Sequence, residues 1–286
     1  MSSILIWIRI TRPHTLFAAF SPVAIGIIVA AKIGEINWAI AIATLLAALS
    51  IQILSNFVND YYDFKKGLDK KGRLGFKRAL AEGEVSLKQM KIAIVIDLSL
   101  ALLLGLYLVI NGGIIILLIG LFSILFAWLY TATKKSLSYL GVADIFCFLF
   151  FGPIATLGTT ALQIGEFSKE SMFLGFVTGA ISTCVLIVNN IRDRESDILH
   201  NKKTFVVRFG KRAGEVEYLF FIILTLVFTL LVDSFSFSSL VFLFGLILFF
   251  QLLKTKGEKY NLMLMKTGLL NVLFVILSII DYVITK

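Results

Sequence analysis

The sequence predicts an all-α membrane protein. Nine transmembrane helices are expected, as two parallel four-helix repeats around a central cavity open to the cytoplasmic side, plus a last helix. Three observations carry this. First, 58% of the 286 residues are apolar and only 16% are charged, against roughly 45–50% and about 25% in a typical soluble domain. Mean hydropathy is +0.94. A soluble chain of this length has too much surface for so few charges. Second, the apolar residues run in long blocks, not in alternation, which argues against an outer-membrane barrel. Third, a polar motif recurs at two block ends. Soluble enzymes, disordered chains and secreted disulfide scaffolds are excluded on composition. The two cysteines, Cys147 and Cys184, sit inside apolar blocks and read as packing residues.

A helix needs about 20 residues to cross the hydrocarbon core. Nine segments qualify: 16–33, 38–58, 92–110, 114–131, 140–162, 171–191, 217–234, 237–253 and 267–284. Arg9 and Arg12 precede the first, which reads as a span and not as a cleaved signal. Asn111-Gly112-Gly113 supplies a tight turn between the third and fourth. The chain is expected to be a single domain, with repeat halves at about 12–134 and 135–253 and the last helix at 267–284.

Charge sets the orientation. Net charge is +9, from 27 Lys+Arg against 18 Asp+Glu. With the N-terminus and the loops after spans two, four, six and eight on one side, 24 of the 27 basic residues fall there. Basic loops stay cytoplasmic. The basic excess therefore reads as topology, and no nucleic-acid partner is inferred. An inner (cytoplasmic) membrane location follows, with the N-terminus and both large polar loops inside.

Span two ends in Asn59-Asp60-x-x-Asp63, with Asp69 beyond. Span six ends in Asn189-Asn190-x-x-Asp193-x-x-x-Asp197. Residues four apart share a helix face. The copies lie 130 residues and four spans apart, which keeps both pointing the same way. Facing carboxylates at low dielectric repel, and hard divalent cations answer that repulsion. Mg²⁺ favours oxygen ligands shared with a phosphate. Lys65, Lys66 and Arg78 follow the first motif, Lys202 and Arg208 follow the second, and Lys135 lies in the loop after span four, so acids for metal and bases for anion share one face. A diphosphate is the economical ligand. Membrane-edge acids are functional candidates by default. Asp97 has no motif around it and reads as an interface residue. His14 and His200 are too few and too separated for zinc.

These residues resemble the UbiA superfamily of intramembrane prenyltransferases over nearly the whole chain. Asn189-Asn190-Ile191-Arg192-Asp193 and Lys202-x-Thr204-x-Val206-Val207-Arg208-x-Gly210 are the most specific segments. Arg12-Pro13-His14-Thr15 and Tyr139-x-Gly141-x-x-Asp144 fit as well. Within the superfamily the pattern is most like the MenA branch, which acts on 1,4-dihydroxy-2-naphthoate. Ser136 and Phe76 depart from prolines common there, and Asn201 from a glycine.

The resemblance implies transfer of a polyprenyl group from polyprenyl diphosphate to 1,4-dihydroxy-2-naphthoate, with loss of CO₂, in a lipid bilayer. No obligate protein partner is inferred. Mg²⁺ would be held by Asp63 and Asp193 with Asn59, Asp60, Asp69, Asn189 and Asp197. Lys135, Arg78 and Lys202 would clamp departing charge, and Asn190 and Arg208 would contact substrate. Tyr130 and Tyr139 would face an allylic cation. Arg12 or Lys135 would pair with the acceptor carboxylate. Asp144 reads equally as a base for the phenol or as a structural hydrogen-bonding group. Competing readings are another acceptor, aromatic or lipid, and a transporter built from parallel repeats.

The orientation is testable. Cysteines placed at Lys71 and Lys203 should label from the cytoplasmic side alone. Labelling of either from outside intact cells would reverse the assignment.

Overall fold

The computed structural model describes residues 3–68, 75–132, 136–233 and 236–285. Among these, every regular element is a helix. Eight helical runs, with Ala143–Ile164 and Phe237–Lys254 each taken as one, are long and apolar enough to cross a membrane, so the chain is an integral membrane protein. The first is preceded by a short helix that the sequence reading missed, α1 (Ser3–Ile10). Its Ile10 is buried among the ends of other helices, while Ile4, Leu5 and Ile8 are exposed.

Helix α2 (Pro13–Ile33) starts on a proline at its first position, where the missing N–H costs no hydrogen bond. Helix α3 (Trp38–Lys65) is capped by Asn37, whose side chain accepts from the Ala39 and Ile40 amides. Helix α4 (Leu87–Leu129) opens with a capping box of Ser86 and Gln89.

The expected spans 92–110 and 114–131 both fall in α4. Its 43 residues would measure about 65 Å if straight, against about 30 Å of hydrocarbon. It is not straight. Gly113 leaves helical geometry at φ 68°, ψ −157°, a conformation that glycine tolerates best. Met90 and Trp128, which a straight helix would hold about 57 Å apart, belong to one apolar cluster with Leu54 and Phe57. Leu108 and Ile116 share another with Ile40 and Leu162. The chain therefore folds back at Gly113, and α4 has two arms.

The expected span 140–162 is also interrupted. Helices α5 (Leu137–Leu140), α6 (Ala143–Leu149) and α7 (Ala155–Ile164) occupy it, with a π turn at Phe150–Ile154. Pro153 cannot donate to the helical ladder, and Gly152 takes φ −125°, ψ −121°. This bend lies against α8 (Lys169–Leu199) at its glycines. A Cβ on Gly175 would sit 2.7 Å from Pro153 Cα, and one on Gly179 would collide with the Phe148 carbonyl oxygen. Small residues let membrane helices approach this closely. Helices α9 (Phe205–Phe209), α10 (Lys211–Leu230), α11 (Val241–Lys254) and α12 (Lys259–Thr285) complete the chain. The largest core joins α2, α8, α10, α11 and α12 around Tyr218, Ile181 and Phe274. Cys184 is buried in it, and both cysteines are free thiols.

Asp97, read as an interface residue, is buried against a neighbouring helix, and Ser50 Oγ donates to its Oδ1 at 2.7 Å. The partner lies on a different helix, invisible to a local reading.

Overpacking a tight core costs about 1–3 kcal/mol. Gly179→Ala should therefore lower the melting temperature in detergent markedly. Gly34→Ala, where nothing lies within 4 Å of the added carbon, should leave it unchanged.

Candidate active site

The site forms where α3 and α8 end. Seven residues of the two motifs, Asn59, Asp60, Asp63, Asn189, Asn190, Asp193 and Asp197, line one cavity of about 820 Å³. Arg12, Arg78, Tyr130, Arg192 and Lys202 line it too. Below this mouth the wall turns apolar, through Leu108, Ile116, Ile119 and Leu162. Leu102, Leu106, Leu117 and Leu121 of the α4 arms line it while remaining exposed.

Cations partner the carboxylates of both motifs. Asp60 accepts from Arg12 and from Arg78. Both arginines also donate to Asn59 Oδ1, at 2.8 and 3.2 Å. Arg12 is the N-cap of α2 in the left-handed region, φ 52°. That conformation is uncommon outside glycine and is held where surrounding contacts over-determine it. Asn59 Nδ2 donates to Thr131 Oγ1 at 2.8 Å, and Lys66 Nζ donates to the Thr131 carbonyl at 2.6 Å.

The second motif carries its own arginine. Arg192 Nε and Nη2 donate to the two oxygens of Asp193, each at 2.8 Å. The same guanidinium reaches Asn189 Oδ1 at 2.7 Å and Asn261 Oδ1 on α12 at 3.0 Å. Lys202 Nζ lies 3.2 Å from Asp197. Burial acts to lower the Lys202 pKa, but the charges of Asp197 and then Asp63 outweigh it and hold it above the ordinary lysine value. Carboxylates from both motifs thus act on one ammonium. Lys66 moves the other way, lowered by burial, with Asp63 opposing and Lys202 assisting.

Not every expected residue reaches the cavity. Tyr139 lies beneath Lys66 and Lys202, whose ammonium groups stand 5.1 and 6.0 Å from its ring. Burial first, against Lys202, holds its phenol above the ordinary value. Tyr130 does face the cavity. Asp144 is buried behind the wall, where Asn190 Nδ2 donates to it at 3.4 Å. Arg208 donates to the Leu140 carbonyl at 2.7 Å and braces a loop. There Gly141, at φ 75°, leaves no room for a Cβ against the Lys203 carbonyl. Asn201 takes φ 56°, which suits asparagine in place of glycine. Asp69 and Lys135 lie outside the described residues. Sequence reasoning missed Arg192, Thr131 and Asn261 as partners. Arg192 and Thr131 sat in segments that fit the family pattern, whereas Asn261 carries no local signal.

Among the described residues, no three His, Cys, Asp or Glu converge into a cage. Mg²⁺ does not require one. It is usually held by one or two carboxylates, with waters and substrate phosphate oxygens. Asp63, Asp193 and Asp197, with the Asn59 and Asn189 amide oxygens, form an all-oxygen donor set on one cavity. These residues fit the ion.

The sequence matches the UbiA prenyltransferase family over residues 19–273. The chain belongs to that family. A 1,4-dihydroxy-2-naphthoate octaprenyltransferase of Escherichia coli is 33% identical over 240 residues, covering 82% of this chain and 78% of that protein. One from Mycobacterium tuberculosis is 33% identical over 218 residues, covering 76% and 74%. Family and relatives make this UbiA chain an enzyme, an aromatic prenyltransferase. A UbiA homolog from Archaeoglobus fulgidus, solved bound to GPP and Mg²⁺, superposes with a TM-score of 0.69 at 19% identity, covering 97% and 99% of the two chains. That likeness shows the fold.

Removing one partner of a buried ion pair costs about 3–5 kcal/mol. Arg192→Met, which leaves Asp193 without its guanidinium, should be strongly destabilised in detergent melts. Arg192→Lys keeps the charge but not the fork, and should melt between that variant and the parent.

Proposed function

We propose that this enzyme transfers a polyprenyl group from polyprenyl diphosphate to 1,4-dihydroxy-2-naphthoate. CO₂ and diphosphate leave, and a demethylmenaquinone results, as a step of menaquinone synthesis. One observation carries the chemistry. A single cavity joins both acid motifs and their cations at one end to an apolar stem at the other. That pattern suits an anionic head on a hydrocarbon tail. The naphthoate acceptor is supported by the names of the curated relatives.

In this reading Asp63, Asp193 and Asp197, with Asn59, Asn189 and Asp60, hold Mg²⁺. Bound there, the ion would offset diphosphate charge and make it a better leaving group. Arg78, Lys202 and Arg192 face the departing anion, and water exclusion strengthens their hold. Arginine forks match phosphate oxygens two at a time. Tyr130 offers its ring to the allylic cation. Tyr139 holds the ammonium groups of Lys66 and Lys202 in place from behind. Asp144 acts through Asn190 by orienting its amide. Arg12 serves the acceptor carboxylate, and Lys135 assists with the charge.

The reading includes nine crossings in one domain, the two arms of α4 counting as two. It also places the polar loops and the cavity mouth on the cytoplasmic face of the inner membrane. The 24-of-27 asymmetry of basic residues supports that orientation.

Asp63→Ala and Asp193→Ala should each lower turnover by at least about a hundredfold, the scale of lost transition-state charge stabilisation. Asp63→Ala should stay folded, Asp193→Ala should melt at a lower temperature because it leaves the Arg192 guanidinium without its carboxylate, and excess chelator should silence the parent. Offered together, the naphthoate should be prenylated ahead of 4-hydroxybenzoate and homogentisate. Preference for 4-hydroxybenzoate would remove the menaquinone assignment and leave the ionisation chemistry standing. No diphosphate release with any aromatic acceptor would favour a lipid acceptor or transport.

A further inference from the structure

Beneath the charged mouth, the cavity wall carries a second tier of polar groups that the mechanism above does not use. Gln52 on α3 and Ser182 on α8 stand seven residues before Asn59 and Asn189 respectively. Seven residues are two helical turns, so each lies on its motif's face and about 10 Å deeper. The third member is Asn271 on α12.

Register contacts bring the tiers of α3 and α12 level. Gln52 Nε2 donates to Thr15 Oγ1 near the start of α2, at 3.1 Å. Gly268, one turn before Asn271, lies against the carbonyl oxygen of the neighbouring His14. All three polar residues line the cavity. Their exposures are 9% for Gln52, 2% for Ser182 and 0% for Asn271. Gln52 Oε1, Ser182 Oγ and both amide atoms of Asn271 have no hydrogen-bond partner among the described residues.

Buried polar groups are normally satisfied, and a set left open calls for a partner. Lipid supplies none. The substrates narrow the choice. A prenyl tail has no polar atoms. A diphosphate is anionic and belongs with the cations above. The hydroxyls of an aromatic acceptor are uncharged, and each both donates and accepts. A carboxamide does the same.

We infer that Asn271, Ser182 and Gln52 form an uncharged subsite that binds the hydroxyl groups of the aromatic acceptor. The inference rests on the aromatic-acceptor reading above. Asn271 is its centre, with donor and acceptor both open. These residues select and position the acceptor, and they take no part in breaking the diphosphate bond.

The test is steady-state kinetics of purified Asn271→Leu and Ser182→Ala with a long-chain prenyl diphosphate, Mg²⁺ and 1,4-dihydroxy-2-naphthoate. KM for the naphthoate should rise about tenfold in Asn271→Leu and severalfold in Ser182→Ala, the scale of a lost hydrogen bond to a buried group. KM for the prenyl diphosphate should stay within about twofold, as binding above the tier is untouched. A monomethyl ether of the naphthoate, used as a competitive inhibitor, should bind the parent more weakly than the diol does. In Asn271→Leu, that difference should vanish. Ser182→Ala carries the test alone if Asn271→Leu does not fold. An unchanged naphthoate KM, or equal rises in both KM values, overturns the subsite. If the parent prenylates no aromatic acceptor, the underlying reading falls and takes the subsite with it. That result is distinct, because no acceptor KM can then be measured.

Discussion

The structure depends on balancing carboxylates at the edge of a low-dielectric bundle. Asp60, Asp63, Asp193 and Asp197 sit at the ends of two helices and face one cavity. Unbalanced, they would drive those ends apart. Arg12 and Arg78 meet Asp60, Arg192 meets Asp193, and Lys202 meets Asp197. These cations come from four different parts of the chain, so the balance also ties the fold together. Arg12 anchors the start of α2, Arg78 the polar segment after α3, and Lys202 the loop after α8. Arg192 reaches α12 through Asn261.

In the proposed reading, the same pairs let a site for metal and diphosphate keep its shape without either ligand. Asp60, Asp193 and Asp197 are each held by a cation that has its own affinity for phosphate. In the proposed reading a metal and an anion entering together would exchange partners with the pairs already present, the carboxylates turning to the metal and the cations to the anion, and total charge would hardly change. Desolvation is then shared between states, and binding avoids the cost of exposing bare charge in lipid.

The spans were legible because hydropathy is a local property, and so was the pairing of Asn59 with Asn189, because spacing along a helix maps directly onto a face. The bend at Gly152 and Pro153 had its signal in those two residues, yet hydropathy alone read straight through it. Contacts between distant segments were not legible. Asp97 is buried because Ser50, 47 positions away, receives it. Tyr139 and Arg208 matched a motif but lie outside the cavity, since a motif records which residues recur and not which way they face. Asn271 had no motif at all. Its meaning comes from burial beside an opening, a property of the assembled bundle.

Consider finally the exposed leucines of α4 that also line the cavity. Leu102, Leu106, Leu117 and Leu121 belong at once to the wall of the site and to the outer surface facing lipid. An apolar substrate passing there arrives sideways from the bilayer, not from water. Its effective concentration is then a mole fraction among lipids and not a molarity. Search is two-dimensional, and saturation reflects membrane composition. Extra detergent or phospholipid at constant substrate dilutes the donor as surely as extra buffer dilutes a soluble one.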